Sequence, residues 1–319
     1  TPEADEILVA KNSDKEKAKE KVLAQAEKAI ADGTFTGKLP QGATVTVDNT
    51  VPVTIPELTD DTEVEVTVKY TVPGQDTPLT TTVKVPVTVV ESVPQIVPVD
   101  ENNKQPDPEK SIDKTDYPEG STFRYKTPEG QTSPIDVTTT GDKNVVVEVL
   151  DPQGNTIVEV PATVRVVGST PQFVVANPAK KQPEAKDSVT PGEYPDGTTF
   201  EYKTPVDTTT AGEKDVTVVV KDEGKDTIVE VPAKVKVVQG NPQIIPVDQG
   251  QPLAENSINK GDYPEGATFE YEKVDGKDPV NISEAGDNPV TVVVKDKDGN
   301  VLVKVPTTVR VVDAYRQYV

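Results

Sequence analysis

The side chains able to act as acids, bases or metal ligands in this sequence are almost all carboxylates. Its 319 residues include 54 Asp and Glu against 33 Lys and Arg, and no His, Cys, Met or Trp. Without imidazole or thiol, the usual general-base and thiolate-nucleophile arrangements are absent. Carboxylates scattered through an acidic chain assemble no set of catalytic roles, so no catalytic residue, no cofactor and no enzyme activity is expected. One oxygen-rich cluster, Asp296-Lys297-Asp298-Gly299-Asn300, has part of the composition of a calcium loop. It lacks the downstream bidentate Glu and lies between two Val-rich stretches. The corresponding stretches at 151–155 and 221–225 do not repeat its ligands. It therefore reads as a hairpin turn, with no metal site and no stabilisation by calcium. The remaining chemistry is aromatic: tyrosines in a repeated element offer faces on which sugars stack. Phe200 and Tyr202 of that element share one strand face and read as core, so ligand-binding residues stay unassigned.

The element that positions those aromatics is nine residues long and occurs three times. It reads YPEGSTFRY at 117–125, YPDGTTFEY at 194–202 and YPEGATFEY at 263–271. Pro fixes one turn angle, and the acid-Gly pair reverses the chain, with Gly free to take a positive φ. Thr-Phe-x-Tyr then begins a strand. Three copies at this separation make the chain a tandem array, whose role is structural or adhesive rather than catalytic.

Each later unit has the same order of parts. It opens on Pro-Gln and two apolar residues at Pro94, Pro171 and Pro242, then runs through a polar loop to the Tyr-Pro element. A turn follows at Thr140-Gly141-Asp142, Ala211-Gly212-Glu213 and Ala285-Gly286-Asp287, and then a Val-rich hairpin. The β-branched alternation of Val216-Thr217-Val218-Val219-Val220 marks half-buried strands. Pro161, Pro232 and Pro306 are expected to interrupt the last strand at an edge or a bulge. Units of this size with many short strands suit a small immunoglobulin-like β-sandwich, so the fold class is all-β.

The first unit diverges. Ile7-Leu8-Val9-Ala10 reads as a strand, and Ser13-Asp14-Lys15-Glu16 has the capping-box pattern with Ser13 at the N-cap. An amphipathic helix follows to Ala31, with Val22, Ala26 and Ile30 on its stripe beside Ala18 and Leu23, ended by Gly33. Leu39-Pro40-Gln41-Gly42 is a degenerate Tyr-Pro element, and strands are expected at 63–70 and 80–90. The domains are thus 1–91, with the helix inserted, then 92–168, 169–239 and 240–312. Residues 313–319 are the start of a further unit or a tail. In the fifth-unit reading, Arg316-Gln317-Tyr318-Val319 stands where Pro-Gln-apolar-apolar opens the others. Junctions of three residues, such as Gly168-Ser169-Thr170, span at most about 10 Å. Successive domains should nearly touch in a monomeric rod of about 150 Å, taking strand rise plus loops.

A net charge of −21 repels nucleic acid and anionic membranes. No apolar run approaches the roughly 20 residues that span a bilayer, so neither nucleic acid nor membrane insertion is expected. Absence of an initiator Met, signal peptide or anchor is what a segment of a longer chain would show.

Tyr-Pro-Asp-Gly-Thr-Thr-Phe-Glu-Tyr, Ala-Gly-Glu-Lys-Asp-Val at 211–216 and Val-Pro-Ala-Lys-Val-Lys-Val at 231–237 resemble the Rib/alpha-like repeat domains of Gram-positive surface proteins. The resemblance covers residues 94–312 and is weaker over 1–91. It implies an extracellular, cell-wall-attached parent protein in which repeats form a stalk that projects an adhesive region from the cell. Its alternative is an adhesin module that itself binds a host glycan or protein, foremost through the first domain. The family motif marks fold, so it transfers no binding residue.

Overall fold

The computed structural model describes residues 3–33, 41–192 and 194–313. The chain falls into two compact units, residues 1–95 with 100–166, and residues 96–99 with 167–319. Each unit is described by itself.

The first domain contains β1 (Ile7–Ala10), α1 (Lys15–Ala31), β2 (Thr44–Val47), β3 (Thr62–Thr71) and β4 (Leu79–Val90). The second contains β5 (Gln95–Pro98), β6 (Thr122–Tyr125), β7 (Gly141–Leu150) and β8 (Thr156–Val167). The third contains β9 (Gln172–Val175), β10 (Thr199–Tyr202), β11 (Gly212–Lys221) and β12 (Thr227–Val238). The fourth contains β13 (Gln243–Pro246), β14 (Thr268–Tyr271), β15 (Gly286–Lys295) and β16 (Val301–Val312). Every domain builds one four-stranded sheet in which the first strand pairs with the last, the last with the third and the third with the second. The first and last strands run parallel, as in β1 on β4, β9 on β12 and β13 on β16. The expected small, mostly-β tandem domains are therefore present, with one helix near the N-terminus.

Valine alternation places the core. In β7, Val145, Val147 and Val149 are buried, and in β8 so are Val158, Val160, Val164 and Val166. β-branched side chains on a pleated, half-buried surface pack well without losing much rotamer freedom. The opposite face carries cross-strand ion pairs, including Arg165–Asp142 at 2.7 Å and Arg310–Asp287 at 2.6 Å. Exposed pairs of this kind contribute roughly 0–1 kcal/mol each, so register is set by the valines.

Proline stands at an edge position, as the sequence suggests, but does not interrupt the last strand. β8 runs unbroken through Pro161, which stands opposite Val146, and β12 runs through Pro232 opposite Thr217. The parallel partner β9 reaches only Val235–Val238. The side of β12 beside Pro232 thus needs no donor, and a missing N–H costs nothing there. Proline occupies the stretch of a central strand that is locally an edge.

What faces the sheet differs between domains. In the first it is α1, whose Ala18, Val22, Ala26 and Ala29 are buried. Its cap is Asp14 rather than Ser13. The Ser13 amide closes a turn onto the Ala10 carbonyl at 3.0 Å, leaving Asp14 as the last extended residue. The Asp14 carboxylate then accepts from the amides of Glu16 at 2.8 Å and Lys17 at 3.4 Å. Gly33 follows with φ +82°. In the other domains the same place between first and second strands holds short 3₁₀ turns, Pro108–Ser111, Ala185–Ser188 and Ala254–Ser257.

A second repeated turn precedes the third strand. Asp136 accepts from the amide and hydroxyl of Thr138 at 2.9 and 2.6 Å and from the Thr139 hydroxyl at 2.8 Å. Those bonds hold its carboxyl down at about 2. Asp207 is held well below the usual range by Thr209 and Thr210 in the same way, whereas the fourth domain has Asn281 accepting from the Ser283 amide. A depressed carboxyl contributes stability that is present above its unfolded value and lost as pH falls through the folded one. The second domain should therefore lose this contribution between about pH 4 and pH 2. Carboxyl NMR should show Asp136 titrating near 2, and Asp136→Asn should remove that part of the acid sensitivity. Titration of Asp136 at an ordinary aspartate value would contradict this.

Candidate functional site

The Tyr-Pro elements fold as their residue types require. Gly120, Gly197 and Gly266 take φ of +82°, +78° and +82°, and Gly42 of the degenerate copy takes +83°; a side chain is strained in that region. The first tyrosine then turns inward onto the phenylalanine edge. Ring centroids are 5.5 Å apart for Tyr117–Phe123, 5.2 Å for Tyr194–Phe200 and 5.7 Å for Tyr263–Phe269, all T-shaped. Tyr117 and Tyr263 are buried, and burial pushes both phenols up to about 12. These rings are packing surfaces, which removes them as platforms for a sugar. Leu39 and Pro40 of the degenerate copy lie outside the described residues.

The second tyrosine builds a polar cluster. In the second domain the Tyr125 hydroxyl lies 2.7 Å from Ser111 Oγ and donates to Gln95 Oε1 at 2.8 Å, and Ser111 Oγ donates to the same oxygen at 3.1 Å. In the third, Tyr202, Ser188 and Gln172 repeat this at 2.8, 2.9 and 3.1 Å. In the fourth the amide is turned, so that Gln243 Nε2 donates to Ser257 Oγ at 2.6 Å and to Tyr271 at 2.8 Å. Ser111, Ser188 and Ser257 have no exposed surface. Each serine hydroxyl is engaged by the tyrosine and glutamine of its trio. The cluster pins the 3₁₀ turn to the first and second strands. In the first domain the opening strand residue is Ile7, packed with α1 against the sheet core, and apolar contact stands where the others use hydrogen bonds.

This cluster escaped the sequence reading. Its members lie 14 to 30 positions apart, and the serine sits in loops that otherwise vary. A signal exists nonetheless: Ser111-Ile112, Ser188-Val189 and Ser257-Ile258 recur as serine followed by a β-branched residue. Ile112, Val189 and Ile258 are the bridge partners of Ser92, Ser169 and Gly240.

The oxygen-rich stretch is a hairpin turn. The Asp296 carboxylate accepts from the amides of Asp298 and Asn300 at 2.9 and 2.8 Å and from Asn300 Nδ2 at 3.0 Å. Asp151 is held by Gln153 and Asn155 in the same pattern. Among the described residues no group of three or more His, Cys, Asp or Glu is placed to hold a metal ion. Millimolar calcium should leave the melting temperature unchanged. A rise of several degrees, abolished by Asp298→Ala, would reveal a site in this turn.

Domain-to-domain contacts inside each unit form the other recurring feature. In the first unit Lys21 of α1 donates to the Leu8 carbonyl at 3.1 Å and to the Ile157 carbonyl of the second domain at 2.8 Å. Burial lowers its pKa, opposed by Glu159. Beside it a groove of about 470 Å³ is lined by Val9, Lys17, Lys21, Ile157, Glu159 and Pro161, among others. In the second unit Phe173 of β9 stacks on Tyr263 of the fourth domain, with centroids 5.7 Å apart and planes at 21°. Lys236 reaches Asp262 at 3.2 Å. At the head of the fourth domain, Gly240 lies so close to β16 that a Cβ there would meet Thr307 Cβ at 2.5 Å and the Pro306 carbonyl at 2.7 Å.

Comparison with known proteins fits this pattern of repeats. A family model described as the Rib domain matches residues 92–168, 170–239 and 238–313. No curated protein matches the chain. Among solved structures it is similar to a Rib structure from Streptococcus pyogenes, with 29% identity over 24% of this chain and 89% of that one and a TM-score of 0.20. It is also similar to Drosophila N-cadherin EC1-4, with 11% identity over 98% of this chain and 100% of that one and a TM-score of 0.16.

Proposed function

The chain belongs to the Rib domain family, repeat domains of Gram-positive cell-surface proteins, and we propose that it serves as a non-catalytic stalk segment that holds an adhesive region away from the cell wall. The observation that carries this reading is the joint between the third and fourth domains, where Phe173 packs against the fourth domain's core. That joint restricts rotation about a linker too short to flex freely. The segment works outside the cell, as a monomer, without nucleic acid or membrane insertion.

Comparing chains with one, two and three repeats by small-angle scattering tests it. The maximum dimension should grow by a constant increment of roughly 35–40 Å per repeat, from strand rise and loops. An increment that shrinks as repeats are added would overturn the spacer reading.

A second reading has the first domain bind a host glycan or protein. The groove beside α1, with Lys17 and Lys21 at its edge, favours that domain over the regular ones. Screening the whole chain against glycan and host-protein arrays separates the two. Binding lost with Lys17→Ala supports an adhesin module, and no binding above background supports the spacer alone.

A further inference from the structure

The second residue of each first strand is Leu8, Ile96, Phe173 or Ile244. Registers place these residues alike. Phe173 stands beside Lys236 and Ile244 beside Arg310, both two positions short of the paired strand end, as Leu8 stands beside Thr88. Leu8 is buried. Ile96 packs into the cluster of Tyr194 and Phe200, and Phe173 into that of Tyr263 and Phe269. Ile244 alone stands out, 70% exposed. Its neighbour Arg310, itself paired with Asp287 across the sheet, occupies the position from which Lys236 reaches Asp262, the acidic residue just before Tyr263.

We propose that Ile244, with Arg310 beside it, is a docking plug for one more domain of the same kind, and that the occupant is an acid-Tyr-Pro-acid-Gly element like the one at 262–266. Continuity with the Phe173–Tyr263 joint identifies the occupant. A second copy of the chain fits poorly. Its Tyr194 and Tyr263 clusters already hold Ile96 and Phe173, and Tyr117 is buried, so it offers no vacant aromatic element in exchange. The proposal goes beyond the stalk reading and does not depend on it, since a binding module made of these repeats would carry the same joint.

The test lengthens the chain by one repeat, with residues 168–239 appended after Val312 so that a three-residue junction is kept. Because the sequence has no cysteine, Ile244→Cys introduces a single thiol. Its labelling should be fast in the 319-residue chain and at least about tenfold slower in the lengthened one, the protection expected when a large aliphatic side chain is buried. Phe173→Cys should be slow in both. In parallel, Ile244→Asp should leave the 319-residue chain's unfolding unchanged. In the lengthened chain it should raise the unfolding equilibrium constant of the added domain by about tenfold or more. Equal labelling in the two chains would overturn the proposal. So would protection of Ile244→Cys already present in the 319-residue chain. If that protection rises with concentration, a second copy is the occupant; if it does not, residues 314–319 are. Should Ile244→Asp prevent folding of the lengthened chain, the labelling ratio still decides.

Discussion

Gln95→Ala is expected to destabilise the second domain by about 2–4 kcal/mol, the loss of a shared acceptor plus the space left behind. Gln95 Oε1 takes hydrogen bonds from both Ser111 and Tyr125, and all three side chains are buried. Without it, the two hydroxyls keep each other at 2.7 Å and only a long contact of 3.5 Å from Tyr125 to the Asp107 carbonyl, so one donor is poorly satisfied at a cost of about 1–3 kcal/mol. Replacing the whole trio should cost less than its parts. Gln95→Ile, Ser111→Ala and Tyr125→Phe together remove every unsatisfied group, because a half-satisfied network is worse than an apolar one. The first domain, whose corresponding strand opens on Ile7 under α1, already lives with the apolar solution. Amide exchange in Val145–Val149, compared among the three single variants and the triple variant, checks this. Additive losses would mean the trio is not a unit.

Gly240→Ala should destabilise the fourth domain by about 1–3 kcal/mol through overpacking. The new methyl would meet Thr307 Cβ at 2.5 Å and the Pro306 carbonyl at 2.7 Å. A flexible side-chain end could move away, but a β-branched Cβ and a backbone oxygen in β16 cannot. Thr307→Gly should therefore recover only part of the loss, because the carbonyl remains. The corresponding bridge residues Ser92 and Ser169 carry a side chain, so this tolerance differs between junctions. Exchange protection of Val290–Val294 reports the fourth domain separately, which a single melting curve of a four-domain chain does not. Protection unchanged from the parent chain would show that the junction opens freely.

Local features were legible in the sequence, and features that depend on distant partners were not. The Tyr-Pro-acid-Gly turns could be read because their φ is set by residues in contact along the chain. The Val strands could be read because a period of two survives any tertiary detail. Proline at 161, 232 and 306 misled as to the strand's continuity, since whether a strand position needs a donor depends on how far the first strand extends beside it. Ser13 and Asp14 are both good caps, and the choice was made by the turn onto Ala10. Tyr117 and Tyr263 were offered as surface because nothing in their own element reveals what covers them. The fifth-unit reading of 316–319 lies outside the described residues.

The parallel pairing of first and last strands has a consequence when a domain is pulled by its two ends. In the third domain the chain enters at Gln172, beside Val235, and leaves after Val238, beside Val175. Force applied at entry and exit slides β9 and β12 past one another along their length. All the hydrogen bonds of the four-residue register are then loaded together, rather than broken one after another as they would be if the strands were peeled apart. Rupture becomes a single concerted step with a high barrier, and forced unfolding is governed by that barrier rather than by equilibrium stability. A domain with a small valine core can thus be thermodynamically modest and still behave as a shear clamp, with Gln172–Val175 as its latch.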